Sequence, residues 1–362
     1  MHKKRNSPLK LHSNFIKLAF EQAKINIGST GSNPSVGCIV TKNKAVISSG
    51  YTSFGGRPHA EFNALNKKLN FKNAEMYVSL EPCSHYGKTS PCTNIIKKKK
   101  LKKIFFSIYD PDVRSYQKSI KIFKKNKILT NKGIAENFAK FFYQSYFSSK
   151  NKNLPLIDAK IALSLDFYSG NKNNKWITNI HSRKRVHLLR SFYDCLISTS
   201  KTINDDNSKL NCRINGLSHK SPALVILDRN LKIKKNLNIF KIKKRKIYLF
   251  TCKKNLSKFI FLKKMGVKVI KMKTMINKND YEYIFRKLNK MGYPRIFVES
   301  GLTFLNYLKS NNLVNTLYLF QSNNKIGKNG INKKFTEWIK KKIPKNKTKV
   351  NLFEDKLFKI SV

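Results

Sequence analysis

Two short stretches of this chain decide the fold and chemistry of its first half: residues 59–61 read HAE, and residues 80–92 read LEPCSHYGKTSPC. They supply one imidazole, from His59, and two thiols, from Cys83 and Cys92. Thiolates combined with imidazole suit Zn²⁺, and three protein ligands leave a fourth position for water, as in catalytic zinc sites. Glu61 lies two residues after His59 at the start of a predicted helix, so both side chains can face one cavity.

This set of residue types predicts hydrolytic chemistry. Zinc lowers the pKa of a bound water towards neutrality and so makes hydroxide available. A carboxylate that is not itself a ligand, here Glu61, can move protons between that water and a substrate. The order His-x-Glu followed by Pro-Cys and a second Cys is the signature of zinc deaminases. Buried structural thiols are the alternative for each cysteine, and a zinc-stabilised scaffold without catalysis is the alternative for the whole site.

Composition bounds the rest of the interpretation. The chain has 362 residues and a net charge of +56, with 40% hydrophobic and 12% aromatic residues, which predicts two folded domains rather than disorder. The charge suggests a nucleic-acid binder. However, Arg supplies only 11 of the 75 basic residues, whereas phosphate recognition favours arginine. A solvated lysine surface that reflects biased composition is therefore the alternative that we favour over a selected nucleic-acid surface.

Acidic residues are scarce, so each marks a position where Lys or Asn would not serve. Eight of the 19 fall in motifs or at strand ends: Glu61, Glu81, Asp110, Asp166, Asp205, Asp206, Asp228 and Glu299. The six cysteines form no disulfide framework in a chain of this length, and no apolar run approaches a membrane span. We therefore expect a cytoplasmic protein with no membrane partner and no specific nucleic-acid partner.

Hydrophobic periodicity predicts alternating helices and strands in the first half, which indicates an α/β layer sandwich. A helix is expected from Ser13 as N-cap, with Ile16, Ala19, Phe20 and Ala23 on its apolar face. The other expected elements are strands at Val36–Val40, Ala45–Ser49, Met76–Leu80 and Ile104–Ile108, and helices at His59–Leu69, Lys118–Lys124 and Ile134–Phe147. The polar segment Ser148–Asn153 predicts a boundary between domains 1–150 and 151–362.

The second half reads as another α/β domain. Its expected strands are Ile157–Ser164, Cys195–Thr199, Ala223–Leu227, Lys246–Thr251, Val267–Ile270 and Ile296–Val298, with a helix at Ser182–Phe192. No glycine-rich dinucleotide fingerprint is present. Gly301, Leu302 and Thr303 follow a strand and precede a helix, whose first N–H groups could hold a phosphate.

The motifs of the first half closely resemble those of the bifunctional riboflavin-biosynthesis deaminase/reductase family. The similarity covers Asn33–Cys38, His59–Glu61 and Leu80–Cys92, including the eight residues between the two cysteines, where nucleoside and tRNA deaminases typically have two. The resemblance implies a cytidine-deaminase-like three-layer sandwich with one Zn²⁺ per site. His59, Cys83 and Cys92 would be its ligands, Glu61 its proton shuttle, and Asn33 a substrate-binding residue.

The same resemblance extends through the second half and implies a dihydrofolate-reductase-like α/β domain that uses NADPH. By position, the cofactor-binding residues would be Ala162, Trp176, Thr202, Asp205, Gly301, Leu302 and Thr303. The substrate-binding residues would be Asn174, Arg190, Leu210, Arg213 and Glu299. Two arginines at one site suit a substrate that carries a ribose phosphate. A homo-oligomer formed through this half is also implied.

Several segments depart from the family pattern. Asp112-Val113-Arg114 replaces the usual Asn-Pro segment in the first half, and Phe167-Tyr168 replaces a glycine and a basic residue in the second. The segment from Asp166 to Trp176 is about two residues short, Asn207 stands where a proline is usual, and Tyr318–Gly327 lacks a proline. The expected enzyme removes the C2 amine of a phosphoribosylated diaminopyrimidinone by zinc-dependent hydrolysis and reduces the ribosyl group to ribityl with NADPH. A deaminase with an impaired reductase half and a nucleic-acid base deaminase stay open as alternatives.

Overall fold

The computed structural model describes residues 8–242 and 244–362, and the elements given below are those of these residues. They form two compact units. The first ends at Asn153 and the second begins at Leu154. No helix of the described residues is both long and apolar enough to cross a membrane.

The first unit is built on a mixed sheet of five strands in the order β2-β1-β3-β4-β5. Strand β1 is antiparallel to both of its neighbours, whereas β3, β4 and β5 run parallel. The strands are β1 Gly37–Lys42, β2 Ala45–Tyr51, β3 Glu75–Val78, β4 Lys103–Phe106 and β5 Leu129–Lys132.

Helices cover both faces of this sheet: α1 Pro8–Lys24, α2 Ala60–Leu65, α3 Cys92–Lys98, α4 Lys118–Lys125, α5 Glu136–Phe142 and α6 Gln144–Lys152. Two glycines show how closely the layers approach. A Cβ at Gly37 would lie 1.8 Å from the carbonyl oxygen of Ala19 in α1, and one at Gly50 would lie 2.3 Å from that of Ala60 in α2. Gly50 pairs with Cys38, the residue after Gly37 in β1, so α1 and α2 pack on opposite faces. The unit is therefore a three-layer sandwich.

The apolar face predicted for the first helix is buried, but two helix boundaries were wrong. Helix α1 begins at Pro8, a residue favoured in the first helical turn, so Ser13 lies inside the helix and is not its N-cap. Helix α2 ends at Leu65 instead of Leu69, because residues 66–69, including Leu69, are all exposed and add nothing to its buried face.

The long helix predicted over Ile134–Phe147 is two helices, α5 and α6, which meet at Tyr143. The Tyr143 side chain is buried, and its hydroxyl lies 2.6 Å from the hydroxyl of Ser79. Most of the polar segment Ser148–Asn153 belongs to the end of α6, and Asn153 follows it with a left-handed φ of 50°. The lysine-rich segment is therefore the solvent-facing end of a helix and not an irregular linker.

The second unit is built on an eight-stranded sheet in the order β11-β10-β9-β8-β12-β6-β13-β15. All neighbouring strands are parallel except β13 and β15. The strands of the sheet are β6 Leu156–Leu163, β8 Cys195–Thr199, β9 Ala223–Leu227, β10 Ile247–Thr251, β11 Val267–Lys271, β12 Arg295–Glu299, β13 Thr316–Gln321 and β15 Lys356–Ser361. A separate two-stranded ribbon pairs β7 Gly170–Asn171 with β14 Gly330–Ile331.

Helices of the second unit alternate with these strands: α7 Ile180–Arg190, α8 Ser200–Asp206, α9 Leu256–Lys264, α10 Lys278–Lys290, α11 Leu302–Ser310 and α12 Glu337–Lys342. All six predicted strands are present within two residues, because parallel strands buried on both faces read as short apolar runs. Because β8, β12 and β6 are adjacent and parallel, their carboxyl ends meet at one edge of the sheet. Ligands of open α/β sheets bind at that edge.

Two candidate active sites

The three side chains predicted as zinc ligands lie together in the first unit. His59 directly precedes α2, Cys83 follows β3, and Cys92 is the first residue of α3. The Nδ1 atom of His59 lies 3.5 Å from Sγ of Cys83 and 3.4 Å from Sγ of Cys92. Tetrahedral Zn²⁺, with Zn–S bonds of about 2.3 Å and Zn–N bonds of about 2.0 Å, requires N–S separations of about 3.5 Å. The donor set and its spacing therefore fit Zn²⁺.

Hydrogen bonds around the cluster favour the thiolate form of Cys83. The Cys92 thiol, followed by His59, lowers the pKa of the Cys83 thiol, which also accepts a hydrogen bond from the backbone N–H of Cys92 at 3.3 Å. An ionised thiol is the form that binds a metal.

Glu61 stands in the first turn of α2 and is only 3% exposed. Burial raises the pKa of its carboxyl to about 7, and the nearby Cys83 thiolate adds to the increase. A carboxyl group that titrates near neutral pH can both accept and release a proton, as a general acid and base must. The arrangement thus places a proton carrier beside a metal-binding cluster.

Two further residues contact His59 or the segment that leads to it, and the sequence motifs had selected only one of them. Asn33 donates from Nδ2 to the carbonyl oxygen of Gly56 at 3.0 Å. Arg57, which was not predicted, lies with Nη1 3.3 Å from Nε2 of His59 and donates to Oγ1 of Thr89 at 2.5 Å. Arg57 thereby connects His59 to the loop between the two cysteines. Its position two residues before His59 is the sequence feature that could have identified Arg57 as a neighbour of the cluster.

The second unit places Arg190 and Glu299 in direct contact. Arg190 ends α7, Glu299 ends β12, and both side chains are buried. Nε and Nη2 of the guanidinium donate to the two carboxylate oxygens at 2.5 and 3.0 Å, and Nη1 donates to the carbonyl oxygen of Asn211 at 2.9 Å. Although burial opposes ionisation, Arg190 holds the pKa of Glu299 below its usual value. The guanidinium thus fixes the carboxylate at the carboxyl end of β12.

Lys160 is a third charged residue at this point, and sequence reasoning missed it. It lies in β6 directly opposite Glu299 of β12, so both side chains project from the same face of the sheet. Burial and the nearby Arg190 lower the pKa of its ammonium group, whereas Glu299 raises it. A single lysine within the apolar strand LIDAKIAL was the signal that could have identified it.

Comparisons with known proteins cover both units. Residues 9–108 match the family described as the cytidine and deoxycytidylate deaminase zinc-binding region, and residues 155–342 match the RibD C-terminal domain. Riboflavin biosynthesis protein RibD of Aquifex aeolicus is 31% identical over 303 residues, which cover 83% of each chain. The Bacillus amyloliquefaciens protein of the same name is 29% identical over 291 residues, which cover 79% of this chain and 78% of that protein.

The chain belongs to the RibD family.

Solved structures support the same conclusion over nearly the whole length. RibD of Acinetobacter baumannii superposes with a TM-score of 0.84 at 25% identity, covering 98% of this chain and 99% of that one. The diaminohydroxyphosphoribosylaminopyrimidine deaminase/5-amino-6-(5-phosphoribosylamino)uracil reductase of Thermotoga maritima gives a TM-score of 0.81 at 25% identity and the same coverage. The predicted family and fold class are confirmed: a deaminase-like domain is followed by a dihydrofolate-reductase-like domain.

As a RibD family member, the protein is a bifunctional enzyme of riboflavin biosynthesis with a deaminase and a reductase activity, and its cofactors are Zn²⁺ and NADPH. These predictions are confirmed. The comparisons favour neither the nucleic-acid base deaminase nor the deaminase-only enzyme over this assignment.

Other residues predicted for the RibD reductase site occupy different environments. Arg213 donates from Nη1 to Oδ1 of Asn211 at 2.8 Å, close to the pair of Arg190 and Glu299. Leu210, in contrast, is 4% exposed and packs in the hydrophobic core, with a left-handed φ of 51°. Its carbonyl oxygen accepts a hydrogen bond from Arg245 at 2.7 Å. Leu210 thus positions its loop through the core.

The residues predicted to bind NADPH form two groups. Oγ1 of Thr202 in α8 accepts a hydrogen bond from the backbone N–H of Gly301 at 3.3 Å, which joins the starts of α8 and α11. Leu302 is buried and Thr303 exposed in the first turn of α11. Ala162 is half-buried in β6, and Asp205 pairs with Lys201 on the surface.

Trp176 stands apart from the others, in an exposed segment between β7 and α7, next to Asn174, which is predicted to bind the substrate. The backbone N–H of Trp176 donates to Oδ1 of Asn174 at 2.9 Å, and the indole is 51% exposed with the Arg183 guanidinium 4.5 Å above its ring. Lys175, between them, donates to the carbonyl oxygen of Asp206 at 3.1 Å and so ties the segment to α8.

The departure at Phe167-Tyr168 is accommodated by the fold. Phe167 adopts a left-handed φ of 69°, the conformation for which glycine is the usual residue. The Asp166 carboxylate accepts hydrogen bonds from the backbone N–H groups of Ile326 and Gly327. A Cβ at Gly330 would lie 2.3 Å from the Tyr168 ring, so this ring requires a glycine opposite it. The segment is ordered by contacts with residues 326–330.

Proposed function

We propose that the deaminase part acts on 2,5-diamino-6-(5-phosphoribosylamino)pyrimidin-4(3H)-one and the reductase part on its deaminated product. The deaminase would occupy residues 1–150 and the reductase residues 151–362, a division supported by the two compact units. The observation that carries the proposal is the close cluster of His59, Cys83 and Cys92 beside the buried Glu61.

In the deaminase, His59, Cys83 and Cys92 would hold Zn²⁺, which when bound acts as a Lewis acid towards water. Asn33 would orient the pyrimidine, since its amide is held at Gly56. Glu61 would take a proton from the attacking water and deliver it to a ring nitrogen. It would then take the proton of the new C2 hydroxyl and pass it to the departing amine, as that hydroxyl becomes a carbonyl. Water thus replaces the C2 amino group, and ammonia leaves.

In the reductase, NADPH supplies the hydride when bound. Thr202, Gly301, Leu302 and Thr303, together with Ala162, Trp176 and Asp205, would line the cofactor position. Asn174, Arg190, Arg213, Glu299 and the loop of Leu210 would contact the substrate. Arg190 would keep Glu299 ionised and aimed from the carboxyl end of β12, through the bidentate contact described above.

A coupled assay on the diaminopyrimidine ribotide, with and without NADPH, tests both activities. We expect ammonia release in both conditions, and oxidation of NADPH only after deamination has supplied the second substrate. Absence of ammonia release would contradict the deaminase assignment. Ammonia release without NADPH oxidation would contradict the reductase assignment and leave the deaminase standing.

We also propose a cytoplasmic homo-oligomer. All six cysteines lie in the described part of the chain and are free thiols, which supports a reducing compartment. Light scattering on the purified protein would measure the mass in solution, and a monomeric mass would contradict the oligomer.

A further inference from the structure

A second buried carboxylate lies next to the metal-binding cluster, and the chemistry described above does not use it. Glu81 precedes Cys83 by two residues and is 3% exposed. Its Oε2 atom accepts hydrogen bonds from the backbone N–H groups of Asp110 and Gln117, each at 3.2 Å. Its Oε1 atom accepts hydrogen bonds from the backbone N–H and the hydroxyl of Ser119, at 3.3 and 2.6 Å. One side chain thus holds both ends of residues 110–119, the segment that leads from β4 into α4.

This segment in turn touches the loop between the two cysteines. Ser115 is fully buried, and its hydroxyl lies 2.8 Å from Nδ1 of His85. The same hydroxyl accepts a hydrogen bond from the backbone N–H of Ser84 at 3.4 Å. Ser84 and His85 directly follow Cys83, so contacts run continuously from Glu81 through Ser115 to the first residues of that loop.

A second anchor restrains the middle of the segment. Asp112 is buried and accepts two hydrogen bonds from the Arg114 guanidinium and one from the ammonium of Lys150 in α6, at 2.6 to 2.8 Å. These residues lie where the chain departs from the family pattern. The segment therefore has a fixed conformation, and Ser115 presents its hydroxyl to His85 from a rigid support.

We propose that Glu81 is a positioning residue of the deaminase, which sets the place of His85 and its loop through residues 110–119 and Ser115. The inference rests on the proposed deaminase function. Glu81 has no contact with the Glu61 carboxylate or the ligand atoms among the described hydrogen bonds. The loop is bounded by two of the three metal-binding residues and so borders the reaction site. Loss of Glu81 therefore displaces a wall of that site and affects the fit of the substrate rather than the proton transfer.

The test uses the full-length zinc enzyme and three variants: Glu81→Gln, Ser115→Ala, and the double variant that carries both changes. Each is compared with a fourth variant, Glu75→Gln. Glu75→Gln is the matched control, since Glu75 begins β3 and accepts a hydrogen bond from Tyr77 at 2.9 Å without contacting the segment. We expect the KM of Glu81→Gln for the pyrimidine substrate to rise about tenfold, which corresponds to about 1.4 kcal/mol. The kcat should change less than about threefold, because the proton carrier is untouched. Zinc content should equal that of the wild type.

Ser115→Ala should raise KM in the same way. The KM of the double variant should be no higher than that of the more affected single variant, because both changes interrupt one chain of contacts. Amide hydrogen exchange at Gln117 and Ser119, which needs no substrate, should be faster in Glu81→Gln than in Glu75→Gln. Additive effects, a KM no higher than that of the control, or unchanged exchange would overturn the proposal. A wild-type enzyme without deaminase activity would instead overturn the proposed function.

Discussion

The rate of deamination should depend on the single residue Glu61. It is buried beside three metal-binding side chains, and burial raises the pKa of its carboxyl to about 7. The substitution Glu61→Gln keeps the shape of the side chain and removes its capacity to exchange protons. We expect deamination to fall about 100- to 10,000-fold, the usual contribution of one general acid–base group. The rate of ammonia release measures the effect.

Zinc content separates this role from metal binding. Glu61→Gln should bind Zn²⁺ at the wild-type level, whereas Cys83→Ser should lose near-stoichiometric metal, because a hydroxyl replaces the thiolate ligand. Metal analysis of both purified variants makes the comparison. Retained deamination by Glu61→Gln, or wild-type zinc content in Cys83→Ser, would refute the assigned roles.

At the scale of elements, the contact between α7 and β12 depends on the buried pair of Arg190 and Glu299. Arg190→Ala would remove both guanidinium hydrogen bonds to the buried Glu299 and leave Lys160, on the neighbouring strand, as the cation beside it. Removal of one partner of a buried pair destabilises proteins by about 3–5 kcal/mol. We expect a loss of that order in the unfolding free energy of the second unit, together with loss of NADPH oxidation, while deamination persists.

Lys201→Ala provides the control for this substitution. Lys201 forms an exposed pair with Asp205 one helical turn later, and such pairs contribute about 0.3–0.5 kcal/mol. Denaturant unfolding of the two variants should therefore differ strongly. Equal stability of Arg190→Ala and Lys201→Ala would contradict the role assigned to the buried pair.

The junction between β8 and β12 should respond to pH. Asp194 directly precedes β8, and its carboxylate accepts a hydrogen bond from the backbone N–H of Arg295 at 3.0 Å. Burial raises its pKa from 3.8 to about 7, against the opposing effect of Arg295. The folded state thus binds a proton more tightly than the unfolded chain, so stability is lost as pH rises from about 4 to about 7.

Asp194→Asn removes this titration while keeping an oxygen that can accept the same hydrogen bond. We expect the variant to gain stability relative to the wild type between pH 5 and pH 8, measured as the difference in melting temperature at each pH. A difference that stays constant or shrinks as pH rises over this range would contradict the raised pKa of Asp194.

At the scale of the molecule, two separate cores predict that the two activities can be divided. Each hydrophobic cluster of the described residues belongs to one unit: one lies within residues 11–147 and two within residues 157–362. Expressed as separate chains, residues 1–153 should bind zinc and deaminate, and residues 154–362 should oxidise NADPH with the deaminated product. Kinetic comparison of each chain with the full-length enzyme checks this, and an unfolded or inactive fragment would contradict it.

The net positive charge of the chain was a weaker guide to the two sites than the positions of its few acidic residues. The net charge of +56 identified no site, whereas the scarce acidic residues Glu61, Glu81 and Glu299 each lie buried at one of the two sites. Burial of a carboxylate without hydrogen-bond partners is unfavourable. A buried carboxylate in this lysine-rich chain therefore indicates a position where its hydrogen bonds are needed.

The sequence by itself determined the family, the α/β architecture and the group of His59, Glu61, Cys83 and Cys92, because motif spacing and apolar runs depend on local order along the chain. It did not identify Lys160 or Arg57. Only the tertiary structure placed Arg190 on Glu299, Lys160 opposite the same carboxylate, and Glu81 on both ends of residues 110–119. Those contacts join residues that are between 29 and 139 positions apart in the chain, as the separation from Glu81 to Asp110 and from Lys160 to Glu299 shows. Such pairings arise from strand order and helix packing, which no local pattern records.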